Sequence, residues 1–405
     1  MAACTKIVPG QDERDVPVCF SPVTGGNTKS VIYGVQDASY NKKSGSNYEK
    51  FTAWAKYTDA PGTNPQTGGM EFFPAAGIEC VHGGTSPNDY WAPSTTYYWL
   101  KDGYFSFHAL SPSNLYPYSG DVSHSWSSGI TIRDFQAGTN RNQQVDVLYS
   151  DFEFKKQRRD YTPESGTPYD ESSDPGFNHK GVNLRFHHAL ASVQFFFKTD
   201  GNYEAGTAKY KFKVRRIELM YANNRGEFHE NRTSAGDNSY ADAPPGSVTF
   251  NEGNSLTATP YWIRFSNEVT YMVSDLTACT AVTATSSRIG SQMLVMPQHL
   301  SHATHNVSVR IHYNFSYKVG DEAEQVYPDP SDPNYSSFPF YNVTIPLNGL
   351  EGTVGGDPCS VNQWLINHSY VYNIVFHLDP LLFDPYISAG WVDVSEIGIS
   401  LPHVD

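Results

Sequence analysis

A chain of 405 residues is longer than a single hydrophobic core sustains, so two domains are expected. Its 42 acidic against 28 basic residues give a net charge of −14. That sign repels a phosphate backbone and excludes nucleic acid as a partner class. Hydrophobic residues are only 39% of the chain, yet 27 Tyr and 23 Phe raise the aromatic share to 14%, a profile suited to half-buried pleated surfaces.

The N-terminal stretch "MAACTKIVPGQDER" has no apolar core of a signal peptide. Its "AAC" followed by a polar leader reads as the end of a bacterial lipoprotein signal whose upstream half is missing. On that reading residues 1–14 are a leader remnant and Cys4 carries the lipid. The other cysteines are Cys19, Cys80, Cys279 and Cys359, with no C-x-x-C pair and an odd total, which excludes zinc ribbons and thioredoxin-like motifs. Cys19 and Cys80 lie among apolar residues and are expected as reduced core thiols.

From there onward, strand-like runs follow one another, separated by turn clusters, and helical periodicity is scarce. No run reaches the ~18–20 apolar residues of a membrane-spanning helix. The first half holds "VPVCF" (16–20), "FTAWAKYT" (51–58), "GMEFFPA" (69–75), "TTYYWL" (95–100), "YFSFHAL" (104–110), "GITIRDF" (129–135) and "DVLYSDFEF" (146–154). In "NLRFHHALASVQFFFK" (183–198) the apolar residues change parity between Leu190 and Val193, as an inserted residue or a tight kink requires. "KFKVRRIELMY" (211–221) follows, then "SVTF" (247–250), "YWIRFS" (261–266), "TYMVS" (270–274) and "QMLVMP" (292–297). In "NVSVRIHYNFSY" (306–317), Val307, Val309, Ile311, Tyr313 and Phe315 share one face, the pattern of antiparallel sheet with one buried side. "FYNVTIPL" (340–347), "SYVYNIVFHL" (369–378) and "ISAGWVDV" (387–394) complete the series. Many short strands without intervening helices predict an all-β chain of sandwiches.

Two polar, Pro- and Gly-bearing segments, 155–181 and 223–247, compete as the domain linker. The second divides the strands more evenly and sets the expected domains at 15–222 and 223–405.

Chemistry is sparse. There is no G-x-S-x-G elbow, H-E-x-x-H, P-loop or dinucleotide fingerprint, so no catalytic, cofactor-binding or metal-binding residue is assigned, and the chain is read as a non-enzyme. His187 and His188 are neighbours on a strand, face opposite sides and cannot jointly chelate one ion. His299, His302 and His305 recur every third residue without a Cys or carboxylate nearby in sequence. Asp329 and Asp332 lack the glycine and glutamate positions of a calcium loop. Trp91, Tyr97, Tyr98 and Trp99 form the densest aromatic patch, read as sandwich core or, in the competing reading, as a sugar-stacking platform.

Five stretches in order carry a resemblance: "TTYYWLKDGYFSFHALSP" (95–112), "DVLYSDFE" (146–153), "VNLRFHHALASVQFFF" (182–197), "MLVMPQHL" (293–300), and "QWLINHSYVYNIVFHL" (363–378) with "DPYISAGW" (384–391). Together they resemble the fimbrillin family of Bacteroidales surface proteins, over most of the chain from about Val16 to Trp391. The resemblance implies two transthyretin-like β-sandwich domains in tandem and an outer-membrane lipoprotein that serves as a fimbrial (pilus) subunit, anchor or tip. It implies other fimbrial subunits as partners through β-strand addition, and a host or bacterial surface glycan or protein as adhesive ligand. In polymerising members an arginine-specific protease removes the first strand, and a C-terminal strand of another subunit fills the groove. In this sequence Arg14 is the sole arginine before Arg133, and the segment it would release offers only Ile7 and Val8 as strand material. That departure points to an accessory role instead of the main shaft. In the tail "EIGISLPHVD" (396–405), Ile397, Ile399 and Leu401 sit at two-residue spacing, as a donor strand requires, although a strand folded back on its own domain would show the same pattern. The alternative to a fimbrial role is a carbohydrate-binding surface lipoprotein.

Overall fold

The computed structural model describes residues 17–24, 42–44, 47–60, 68–83, 90–100, 102–115, 121–157, 181–230, 260–265, 267–336, 339–354, 357–377, 382–385 and 399–400. The all-β expectation holds: among these residues the regular elements are strands, apart from a three-residue 3-10 turn at Arg141–Gln143. No helix among them is long and apolar enough to cross a membrane. The expected strands "SVTF" and "ISAGWVDV" lie outside the described residues.

The chain forms two compact units. One comprises Met1–Phe135, Val145–Ala189 and Gly226–Ile263; the other comprises Gln136–Gln144, Leu190–Arg225 and Arg264–Asp405. The chain therefore changes unit at Ala189/Leu190, and the strands Ala191–Thr199 and Ala208–Asn223, expected before a boundary at residue 223, belong to the second unit. The parity change in the run 183–198 marks this crossing. Strand Val182–His188 ends, the chain bends, and the next strand enters a different sheet.

In the first unit a nine-stranded sheet closes on itself. The strand Phe51–Thr58 pairs with Tyr104–Ser111 over seven residues, so seven of the nine strands form a ring and the two end strands, Met70–Glu71 and Glu153–Lys156, lie outside it. Closure abolishes free edges along the ring. The interior is filled by alternate side chains of successive strands, including Phe51, Ala53, Phe105, Phe107, Leu184 and Phe186. "TTYYWL" forms no strand there; its contribution is one isolated bridge, Pro17 to Tyr98, while Trp99 packs into the core.

The second unit is a two-layer sandwich. One sheet contains 191–199, Ser369–Phe376, Leu382–Pro385 and Ile399–Ser400, and the other contains Glu268–Val282, 208–223, Ser308–Val319 and Tyr341–Pro346. Val193, Phe195 and Phe197 of one layer meet Ile217, Leu219, Val309 and Ile311 of the other in a single core. The predicted face of 307–315 is the buried one, with Val307, Val309 and Ile311 at 0% exposure and Tyr313 and Phe315 packed at its margin.

Among the described strands two pairs are parallel, which period-two patterning did not reveal: Phe20–Thr24 with 182–186, and 192–199 with 369–376. Cys80 is a buried free thiol, as expected, and both burial and the neighbouring Glu79 charge push its ionisation up. Cys19, expected as a second such thiol, is instead disulfide-bonded.

Candidate functional site: strand-pairing elements and a buried histidine cluster

Strand pairing in an all-β protein is made at edges and termini, so the terminal strands come first. The strand Phe20–Thr24 is inserted into the ring, parallel to 182–186 over five residues and antiparallel to Trp91 through Phe20. Phe20 is fully buried and meets Phe107, Phe51 and Phe73 edge-to-face with centroids 5.4, 5.8 and 6.4 Å away. Aromatic pairs of this geometry add ~0.5–1.5 kcal/mol each beyond area burial. Gly181 (φ +102°) lets the neighbouring chain approach this strand, since a Cβ there would collide with the Cys19 carbonyl group. The strand is thus a wall of the barrel, held on both sides. Arg14 lies before it and outside the described residues, as does Cys4.

Of the tail positions, Ile397 and Leu401 lie outside the described residues. Ile399 does not: Ile399–Ser400 pairs antiparallel with Leu382 and Phe383 of its own sheet. Residues 399–400 thus lie at an edge of that sheet.

Three buried histidines of the first unit are placed against carboxylates. His187 Nε2 is 3.1 Å from Asp151 Oδ1, and His188 Nδ1 is 2.9 Å from Asp146 Oδ1. The neighbours therefore address two different acids, as opposite strand faces require. A third pair was not expected: His108 Nε2 lies 3.1 Å from Glu230 Oε2. All six side chains are nearly or fully buried. His108 stacks on Phe152 at 3.7 Å, and its Nε2 also lies 3.1 Å from the Ser150 carbonyl. Ser150 Oγ accepts from the Ala109 amide and donates to the Asp151 carbonyl, while Glu230 Oε2 accepts from the Ile130 amide. Gly129 (φ +80°) is needed beside Glu230, because a Cβ would sit 2.6 Å from its Oε2. Buried polar pairs of this kind specify one arrangement of strands more than they add stability. The cluster therefore serves as a locking device for strands 104–111, 148–150 and 182–188.

The remaining sequence candidates resolve locally. His302 Nδ1 is 3.0 Å from Glu268 Oε1, His305 Nδ1 is 3.6 Å from Glu268 Oε2, and His302 Nε2 approaches the His299 carbonyl at 3.1 Å. Among the described residues no group of three or more His, Cys, Asp or Glu is placed to hold a metal. Asp329 Oδ1 accepts from the Ser331 amide and hydroxyl, bonds that hold its carboxyl below the usual range, and Asp332 Oδ1 accepts from the Asn334 amide. Both acids close turns. In the aromatic patch, Trp91 and Trp99 are buried at 3% exposure and Tyr97 packs on the core, leaving Tyr98 alone exposed, at 44%. One ring is not a sugar platform.

A family model described as fimbrillin-like matches residues 46–379. Among solved structures, a fimbrial protein from Bacteroides vulgatus is similar at 15% identity and a TM-score of 0.42, covering 94% of this chain and 99% of that one. A proposed cell adhesion protein from Bacteroides uniformis is similar at 12% and 0.41, covering 95% and 98%. A fimbrial assembly protein from Parabacteroides distasonis is similar at 9% and 0.35, covering 94% and 98%. Likeness at this level carries no functional property across. Among curated proteins, none matches the chain.

Proposed function

The chain belongs to the fimbrillin-like family, and from that premise we propose that it is a cell-surface fimbrial subunit of accessory type, an anchor or tip instead of a shaft repeat. The observation that carries the accessory assignment is the position of strand 20–24. A shaft subunit of the kind described above must give up its first strand to admit a donor. Here the first described strand begins six residues after Arg14, and no other arginine precedes Arg133. Cleavage at Arg14 leaves the Phe20 anchor and this wall of the barrel in place.

The subunit attaches to the outer membrane through a lipid on Cys4 and joins its neighbours by strand addition, giving its own tail (Ile397, Ile399, Leu401) to the next subunit. Main-chain hydrogen bonds supply affinity in such a joint and alternate side chains supply specificity. Surface-sheared filaments labelled with antibody to this chain provide the test. Label at filament ends or bases supports the accessory assignment. Continuous label along shafts refutes it, and absence of label from both filaments and cell surface refutes the fimbrial reading itself.

A further inference from the structure

The edges of the second unit are not alike. The strand 268–282 closes one side of its sheet, but its pairing with 208–223 is interrupted by three register shifts, and Asp275 on it is held by Arg215 and Arg216. Bulges and charges of this kind blunt an edge against further pairing. The opposite side carries Tyr341–Pro346, "YNVTIP", and here no such device exists. It pairs with 308–313 in unbroken register, contains no Lys, Arg, Asp or Glu, and no described backbone pairs with its outer side. Its inner face passes from buried to open along the strand: Ile345 is 3% exposed, Val343 packs partly on the core, and Tyr341 is 43% exposed, with its ring 5.9 Å from that of Tyr313.

We propose that this edge pairs with the same edge of a second copy of the chain, antiparallel and two-fold symmetric about Val343. Paired residues of an antiparallel ladder share a face, and this axis satisfies that condition while setting Tyr341 against Ile345, Val343 against Val343 and Asn342 against Thr344. Each half-exposed Tyr341 ring then covers the partner's Ile345, an aromatic–β-branched pair of the favoured kind. The axis also fits the two prolines that bracket the segment. Pro339 and Pro346 fall at or beyond the ends of a ladder running from 341 to 345, so neither removes a donor from it and both stop it from growing. Charge favours a second copy at this place over others: two chains of −14 repel, and this strand brings no ionised side chain to the contact. The result is a closed dimer with one sheet continuous through both copies. The inference is independent of the fimbrial reading and of the C-terminal tail.

Sedimentation of the full chain over a wide concentration range tests it. The unsubstituted protein is expected to show a reversible monomer–dimer equilibrium. Asn342→Lys with Thr344→Lys, both at exposed outward positions, places like charges opposite one another and is expected to weaken dimerisation about tenfold or more. Asn342→Glu with Thr344→Glu behaves likewise alone. An equimolar mixture of the two variants restores dimer, because Lys then faces Glu. Circular dichroism confirms that each variant is folded. Val343→Cys is expected to give an oxidant-dependent covalent dimer at the axis. A wild-type chain that stays monomeric overturns the proposal, including the case where another segment of the same chain covers the edge. Dimerisation indifferent to both double substitutions, or a mixture that fails to restore it, overturns it equally.

Discussion

His188 and Asp146 meet with 2.9 Å between Nδ1 and Oδ1 and no solvent at either side chain, and they come from segments 42 residues apart. Removing one partner leaves the other buried without its mate, which costs more than the pair itself contributes. His188→Ala is expected to destabilise the first unit by about 3 kcal/mol. The double change His188→Leu, Asp146→Leu is expected to cost less than His188→Ala alone. Urea denaturation followed by tryptophan fluorescence reads both, and a milder effect of the single change would place the pair outside the cooperative core.

The anchoring of strand 20–24 predicts a sharp contrast between neighbouring changes. Phe20→Ala empties a site surrounded by three rings and is expected to cost about 3–5 kcal/mol. Removal of residues 1–14 is expected to leave the melting temperature unchanged. Comparable losses from both would mean that the leader contributes to the barrel.

Attachment is expected to depend on one sulfur. In cells expressing the precursor with its native signal, Cys4→Ser should move the protein from the outer-membrane fraction to the soluble one, since a two-chain lipid is what makes such anchoring stable. Persistence of the variant in membranes removes the lipid assignment.

The tail predicts a separation of folding from assembly. Deletion of 396–405, or Ile397→Asp with Ile399→Asp, should leave circular dichroism and melting nearly unchanged under the donor reading. The same variants should vanish from high-molecular-weight ladders of surface extracts. Unfolding of the monomer would instead assign the tail to its own sandwich.

His368 predicts an acid sensitivity of the second unit. Burial holds its imidazole below the usual range, against a smaller opposing effect of the 2.7 Å bond with the Ile366 carbonyl. The unfolded chain therefore binds a proton more readily than the folded one. Stability is expected to be independent of this group above about pH 6.5, and to fall as pH drops from there towards the folded value. His368→Gln should flatten that part of the stability–pH curve, as read by chemical denaturation at successive pH values; an unaltered slope would assign the acid sensitivity to other groups.

Much of the fold was legible from residue order alone. The alternation of Val307, Val309 and Ile311 identified their buried face, because a side-chain period of two has one physical solution. The parity change after Leu190 was visible as a kink, but a kink inside one domain and a passage between two units leave the same trace. Parallel pairing of 20–24 with 182–186 had no local signature, since its partners are far apart in sequence. The acids opposite His187, His188 and His108 were hidden for the same reason. Asp151 and Asp146 stand 36 and 42 residues from their partners, and nothing in 42 carboxylates marks which ones turn inward. The oxidised state of Cys19 was likewise out of reach, because its apolar neighbours suit a thiol and a disulfide equally.

The two parallel pairs also govern the order in which the molecule can be completed. A chain that emerges N-terminus first presents residues 20–24 long before 182–186 exist to receive them, and presents 192–199 long before 369–376. Neither unit can close until its distant partner has arrived. Such long-range closure makes folding slow relative to chains built from adjacent hairpins. The growing chain therefore carries these strands unpaired until their partners arrive, and truncation before about residue 376 should abolish the second unit while the first remains able to form.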